Sequence, residues 1–347
     1  MATSKALQTR YPWTQLPLII SAPMRLITGP ELVKEVHKAG GLPFLASGTD
    51  TSTLPNLLGQ TAALLPPSDS GVYPFGVGFI NWGATLSTAV SAFKQYTPAA
   101  VWFFGPSSMS ELVTWATQIR EVTVGKTEVW VQVGTVASAV EVTRQLKPDA
   151  LILQGSEAGG HGLVNGTPLN TLVPEAHDAL KAEFGEDMPT LVAAGGIVEG
   201  RGAAAALTLG AAGVVMGTRF LCSPEANLAD GYRKSVLDAS DGGVETVRTS
   251  VYDQLRGTTG WPKEHNARGL INLSYTESLG GLDMDENKKM YDEALQKDLW
   301  GKNGRLAMYA GTGVGLIKEI KPAKEIVEEV RRDAVSALEA ARERATK

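Results

Sequence analysis

The stretch Ala150-Leu151-Ile152-Leu153-Gln154-Gly155-Ser156-Glu157-Ala158-Gly159-Gly160-His161-Gly162 is an apolar run that breaks into a glycine-rich turn holding one imidazole. Its first four residues show no polar alternation. They read as a strand covered on both faces, and such strands are usually parallel. The glycines that follow let backbone come close to a flat ligand and adopt dihedrals that side chains avoid. A histidine fixed there can exchange protons or bind an anion near neutral pH. Loop residues just past a buried strand are where α/β proteins keep their chemistry. The competing reading is an ordinary strand-to-helix turn with a solvated His161.

Outward from this segment the same texture recurs. Strand-like runs are Leu16–Pro23, Gly41–Ser47, Phe75–Asn81, Ala100–Gly105, Val129–Gly134, Ala150–Gln154, Thr190–Gly196 and Gly213–Phe220. Crossover helices are expected at Pro30–Ala39, Ser107–Glu121, Ser138–Leu146 and Arg201–Leu209. Eight runs, each followed by a helix or a long connection, predict an α/β fold of the (β/α)8 TIM-barrel type, with a doubly wound open sheet as the rival. From about Ala239 to Arg305 the chain is polar and rich in Gly, Asn and Asp, which predicts a helical or irregular insertion after strand eight. The expected division is thus 1–238 with 306–347 as the barrel and 239–305 as a lid or small subdomain. Pro322–Arg344 has the spacing of an amphipathic surface helix.

Composition narrows the classes. A chain of 347 residues with 43% hydrophobic content can bury a large core, and a net charge of −5 without a Lys/Arg stripe argues against nucleic acid. The single cysteine, Cys222, excludes an internal disulfide and reads as a small buried residue. No run is long enough to span a bilayer. The start Met1-Ala2-Thr3-Ser4-Lys5 lacks a signal-peptide core, although its want of acidic residues leaves a weak organellar signal open. Ala345-Thr346-Lys347 is not a peroxisomal address. The expected compartment is the cytoplasm.

Candidate site residues cluster at strand ends. Ala22-Pro23-Met24 offers a fixed backbone and a soft apolar surface for a flat ring. Asn81 and Gln132 place amides on apolar strands, where they need partners from a ligand or from backbone. Ala194-Gly195-Gly196-Ile197 after strand seven and Met216-Gly217-Thr218-Arg219 after strand eight match the barrel phosphate site, where main-chain amides hold the anion. Arg219 adds charge there or pairs elsewhere; Glu157 serves as an acid or base or as a cap. His37, His177 and His265 lie apart in helical or polar contexts, and no histidine pair has metal-ligand spacing, so no metal is expected. No Walker loop, dinucleotide fingerprint or nucleophile elbow is present.

Taken in order, Ala22-Pro23-Met24, Gln154 to Gly162, Ala194-Gly195-Gly196-Ile197, Met216-Gly217-Thr218-Arg219-Phe220 and Ala310-Gly311-Thr312-Gly313-Val314-Gly315 resemble the nitronate monooxygenase family, formerly the 2-nitropropane dioxygenases. The resemblance runs from about Leu16 to Ile317. It implies a (β/α)8 barrel with non-covalent FMN and a mobile helical subdomain. It makes His161 the catalytic histidine. Ala22, Pro23, Met24, Asn81, Gln132, Gly159 and Gly160 would border the flavin ring or ribityl chain. Gly195, Gly196, Gly217 and Thr218 would hold the phosphate, with Met216 beside them. Thr312 departs from the pattern, since many members carry a glutamine there.

The implied reaction is oxidation of an alkyl nitronate, such as propionate 3-nitronate, by O2 to a carbonyl compound and nitrite through a flavin semiquinone. Nitronate and O2 are then the small-molecule partners, and a homodimer interface on the insertion stays open. Two alternatives stand beside it. One is an FMN-dependent NAD(P)H:quinone or enoyl-thioester reductase. The other is a flavin-free barrel lyase or isomerase acting on a phosphorylated substrate.

Overall fold

A computed structural model describes residues 4–346. Met1 to Thr3 of the weighed leader and Lys347 of the C-terminal tripeptide lie outside the described residues. Eight parallel strands close into a barrel in the order β1 (Leu18–Ser21), β2 (Leu42–Gly48), β3 (Val72–Ile80), β4 (Thr97–Phe104), β5 (Glu128–Val133), β6 (Ala150–Gln154), β8 (Thr190–Ala194) and β9 (Gly213–Met216). The omitted β7 (Gly160–Leu163) lies outside the barrel. Closure is made by β1 on β9, with Leu18 opposite Gly213 and Ser21 opposite Met216.

The absence of polar alternation has a direct cause. Successive side chains on a strand point to opposite faces, and here both faces are buried. Leu18, Ile20, Phe44, Trp102, Trp130, Ile152 and Val192 fill the barrel interior. Their neighbours Ile19, Leu45, Val101, Phe103, Val129, Val131, Leu151 and Leu153 pack under the helices. Phe44 meets Trp102 edge-on at 5.3 Å between ring centroids. Gly76 makes room for it, since a Cβ there would stand 2.3 Å from the Phe44 ring.

The expected helices form at Pro30–Lys38, Met109–Val122, Val136–Leu146 and Gly200–Thr208. Three connections left undefined by the sequence pattern are also helical: Leu54–Leu64, Leu86–Phe93 and Leu169–Phe184. The eighth strand is shorter than its apolar run, because the chain turns at Gly217 into the short helix Thr218–Leu221. The C-terminal helix Ala323–Thr346 buries Ile326, Val327, Val330 and Ala334. Its Arg331 donates to the carbonyls of Ala39 and Gly40 at 2.8 and 2.9 Å, which satisfies the end of helix Pro30–Lys38.

The polar stretch after β9 is more ordered than its composition suggests. It supplies β10 (Thr246–Thr249), β11 (His265–Leu270) and helices Val251–Arg256, Leu273–Leu279 and Met284–Gln296. Tyr252, Leu255, Tyr291, Ala294 and Leu306 give it a core of its own. β11 pairs antiparallel with β10 on one side and with β7 on the other. The segment carrying the glycine-rich turn is therefore a strand of this second sheet. Among the described residues no helix is long and apolar enough to cross a membrane.

Candidate active site

The period of two continues to the C-terminal mouth of the barrel. Trp130 points inward, so Gln132 does too; Ile152 points inward, so Gln154 follows. Each amide is half satisfied inside the protein. Gln132 accepts from the Trp102 indole at 3.0 Å, and Gln154 donates to the His161 carbonyl at 3.0 Å. Above this layer lies a cavity of about 220 Å³, bordered by Ala22, Pro23, Met24, Gln132, Gly159, Gly160, His161, Gly217 and Thr218, all expected from the sequence. A smaller chamber of about 90 Å³ adjoins it and shares Ala22, Gln132, Gly159, Gly217 and Thr218. Gly195, Gly196, Gly311 and Gly313 complete the smaller chamber, and no charged side chain lines it.

Glycine backbone forms much of that chamber, beside uncharged side chains such as Trp102, Gln132 and Val198. Gly195 and Gly196 stand at φ +115° and +70°, conformations that side chains rarely adopt. At Gly159 a Cβ would lie 2.4 Å from the backbone of Ala310 and Gly311, so only glycine lets the two segments touch. Thr218 holds the second of these segments by accepting the Gly311 N–H at 3.0 Å.

Two expected site residues border neither chamber. Asn81 is 1% exposed and accepts the Phe104 N–H at 3.0 Å, with its Nδ2 left unpartnered beneath the mouth. Met216 is fully buried in the barrel wall, and its carbonyl receives the Ala22 N–H at 2.9 Å.

Other candidates resolve. Glu157 accepts the Leu169 N–H with both oxygens, at 3.0 and 3.1 Å, and so acts as a cap of helix Leu169–Phe184. Arg219 is buried away from both chambers and donates to the Glu319 carbonyl. Cys222 is buried, which pushes its thiol up to about 11. Thr312 donates its N–H to the Glu157 carbonyl, and its side chain borders neither chamber. Among the described residues no group of three His, Cys, Asp or Glu is placed to hold a metal ion.

The histidine end of the cavity holds what sequence reasoning missed. His161 Nε2 lies 2.8 Å from Asp253 Oδ1, and the two side chains are 13% and 8% exposed. The same oxygen accepts from Thr258 at 2.9 Å and Tyr309 at 3.3 Å. Trp261 stacks on the imidazole with centroids 3.8 Å apart and planes 11° apart. Burial pulls the His161 pKa below its ordinary 6.5, while Asp253 pulls the other way. The imidazole is thus neutral at neutral pH. Burial, then Asp253, push the Tyr309 phenol well up, so it stays a donor.

Two arginines of the second sheet fasten the turn. Arg248 donates to the carbonyls of Ser156 and Ala158, and Arg268 to that of Ser156. His265, one of the histidines expected at the surface or behind the site, packs against Phe104 and Trp261 with centroids 5.4 and 6.0 Å away.

Arg25 and Arg256 line the larger chamber, and among the described residues neither has a carboxylate at ion-pair distance. Arg256 lies over the Tyr309 ring at 5.4 Å. Burial first, and Arg256 second, lower the Arg25 pKa.

The sequence profile of the nitronate monooxygenase family matches residues 113–333. The chain is 46% identical to the nitronate monooxygenase npaC of Metarhizium robertsii, over 96% of this chain and 95% of that one. It is 37% identical to a nitronate monooxygenase of Neurospora crassa, over 94% and 92%. Among solved structures it is similar to FabK from Thermotoga maritima, at 26% identity and a TM-score of 0.75 over 97% and 98% of the two chains. With its barrel, its glycine-lined chamber and these end-to-end alignments, the chain belongs to the nitronate monooxygenase family of flavin-dependent oxidoreductases.

Proposed function

We propose that the protein binds FMN across the two chambers and oxidises alkyl nitronates with O2 to a carbonyl compound and nitrite. The observation that carries the reading is His161, neutral and anchored, on the wall of a cavity that continues into an uncharged, glycine-rich chamber. The residues fit FMN. The left-handed glycines leave main chain alone to meet an anion, and a Cβ at Gly217 would project into the space beside Ala22 and Met24. Gly195, Gly196, Gly217 and Thr218 would hold the phosphate through amides. Ala22, Pro23, Met24, Gln132, Gly159 and Gly160 would border the ring and ribityl chain, with Asn81 and Met216 supporting them from behind. When bound, FMN supplies the electron-accepting chemistry that side chains lack.

The chain's own residues do the rest. His161 meets the anionic substrate, and with a neutral nitroalkane it takes the α-proton. Arg25 and Arg256, neither in a contact ion pair among the described residues, favour a nitronate bearing a second anionic group, as in propionate 3-nitronate. Trp261 and the segment 239–305 act as the lid that keeps water out.

The test is anaerobic mixing of the yellow protein with propionate 3-nitronate, and separately with NADH or NADPH. A flavin absorbance change with the nitronate alone, followed by nitrite release on adding O2, is the expected result. Bleaching by the nucleotides without a nitronate response would move the protein to the reductase class.

A further inference from the structure

We propose that Asp253, supplied by the insertion, is a positioning residue that fixes the His161 imidazole with Nδ1 toward the cavity as the proton acceptor of the site. The proposal rests on the reading above, in which His161 meets the substrate. An ionised carboxylate only accepts hydrogen bonds. The 2.8 Å contact therefore puts the imidazole proton on Nε2 and leaves the Nδ1 lone pair free. His161 borders the cavity, and Nδ1 is neither sealed in the protein nor bonded within it.

The geometry fixes the carboxylate as firmly as the ring. Thr258 and Tyr309 both donate to the oxygen that receives the His161 proton. Gly257, at φ +68°, turns the chain from helix Val251–Arg256 so that Thr258 can reach back to Asp253. Trp261 sets the plane of the imidazole, and the pairing of His161 with Ala267 sets its backbone. The bond to Asp253, the stacked Trp261 and the strand pairing are three separate constraints on one residue, more than a buried histidine needs for packing alone.

The groups facing His161 are Asp253 and Arg256 from the helix, Arg248 from β10, His265 from β11 and Tyr309. Burial, Arg256 and Arg248 disfavour the imidazolium, and Asp253 alone among them favours it. In the proton-transfer step the α-carbon of a neutral nitroalkane loses H⁺ to Nδ1. The C–H electron pair moves onto the nitro group, giving the nitronate, and Asp253 balances the imidazolium that forms. A preformed nitronate skips this step, which separates the role of Asp253 from mere support.

The experiment compares the flavinated wild type with Asp253→Asn, which keeps an oxygen acceptor and loses the charge. NMR of ring-labelled histidine reads the tautomer and titration of His161, and kinetics are run on a neutral nitroalkane and on its nitronate. Expected are a lower titration midpoint, loss of the pure Nε2–H signature, and a fall of roughly 10- to 100-fold in kcat/KM for the nitroalkane. The acid limb of that profile should move to lower pH, with at most about a 3-fold change on the nitronate.

An unchanged His161 titration and tautomer would overturn the proposal, as would equal losses on both substrates with an unmoved pH profile. Thr258→Val, which removes one bond to the carboxylate, should shift the same readouts less. If Asp253→Asn fails to fold, a Thr258→Val protein identical to wild type also overturns it. The NMR arm does not depend on turnover, so it reads Asp253 even if nitronates prove not to be substrates.

Discussion

The two chambers share a wall of Ala22, Gln132, Gly159 and Gly217 yet are built by different means. The glycine chamber comes largely from barrel strand ends, closed by Gly311 and Gly313. Its shape follows largely from the backbone of six glycines and from uncharged side chains. The histidine chamber depends on a second sheet and a helix that lie far along the chain, with Asp253 separated from His161 by 92 positions. One chamber is set by local stereochemistry and the other by long-range assembly. Changes in the first should therefore remove the cofactor, and changes in the second should leave the cofactor and alter chemistry.

The largest effect is expected from Gly196→Leu. Its φ of +70° strains any side chain by about 1–2 kcal/mol, and the side chain would press on Glu157 and Thr312 behind the chamber, displacing the backbone that lines it. The protein should purify with little or no flavin absorbance and no nitrite-forming activity. A fully flavinated Gly196→Leu protein would place the phosphate elsewhere. Gly217→Leu sharpens the point, because its backbone is not left-handed and there is room for a Cβ. Loss of flavin there would come from filled space alone.

His161→Asn should do the reverse. It should keep its flavin and lose roughly 10²- to 10⁴-fold in turnover of neutral nitroalkanes, as removal of a general base does. Flavin content and nitrite release on the same preparation check both halves. If the flavin goes with the imidazole, the two chambers are not independent and the comparison fails.

A smaller effect is expected at the arginines. Replacing Arg25 or Arg256 by Met should raise KM for a carboxylate-bearing nitronate by about 10-fold, the worth of one charge-assisted hydrogen bond. KM for a simple alkyl nitronate should change little. The ratio of the two KM values is the measurement, since it cancels any general loosening of the lid.

The same contrast explains what could be read in advance. The barrel was legible because parallel strands buried on both faces leave unbroken apolar runs, and the glycine chamber was legible because positive-φ turns demand glycine. Asn81 and Met216 lie beneath the mouth and border neither chamber. An amide at a strand end whose oxygen already accepts the Phe104 N–H looks, in sequence, like one awaiting a ligand. Asp253 left no periodic trace, since helix Val251–Arg256 is too short to show a face. Trp261, alone in a polar stretch, was a usable signal for a buried contact. Nothing local could pair β7 with β11, because that register is set by strands about a hundred residues apart.

The smallest expected effect concerns acid. His161 is held below 6.5, first by burial, and His265 on the neighbouring strand is lowered by burial as well. The unfolded chain binds protons at these positions before the folded chain does, so stability rises with pH across that interval. Their contribution is fully present above the ordinary imidazole value of 6.5 and is lost as pH falls through the lower folded values. The glycine chamber has no titratable side chain in its lining and lacks this dependence. Below pH 6.5, amide protection in Val251–Arg256 and His265–Leu270 should therefore weaken before that of Thr190–Ala194 and Gly213–Met216, after correction for intrinsic exchange. His161→Asn should flatten part of the difference, because it removes one of the two buried imidazoles. Equal acceleration at both ends of the cavity would mean that the lid and the barrel open as one unit, and the division between them would have to be given up.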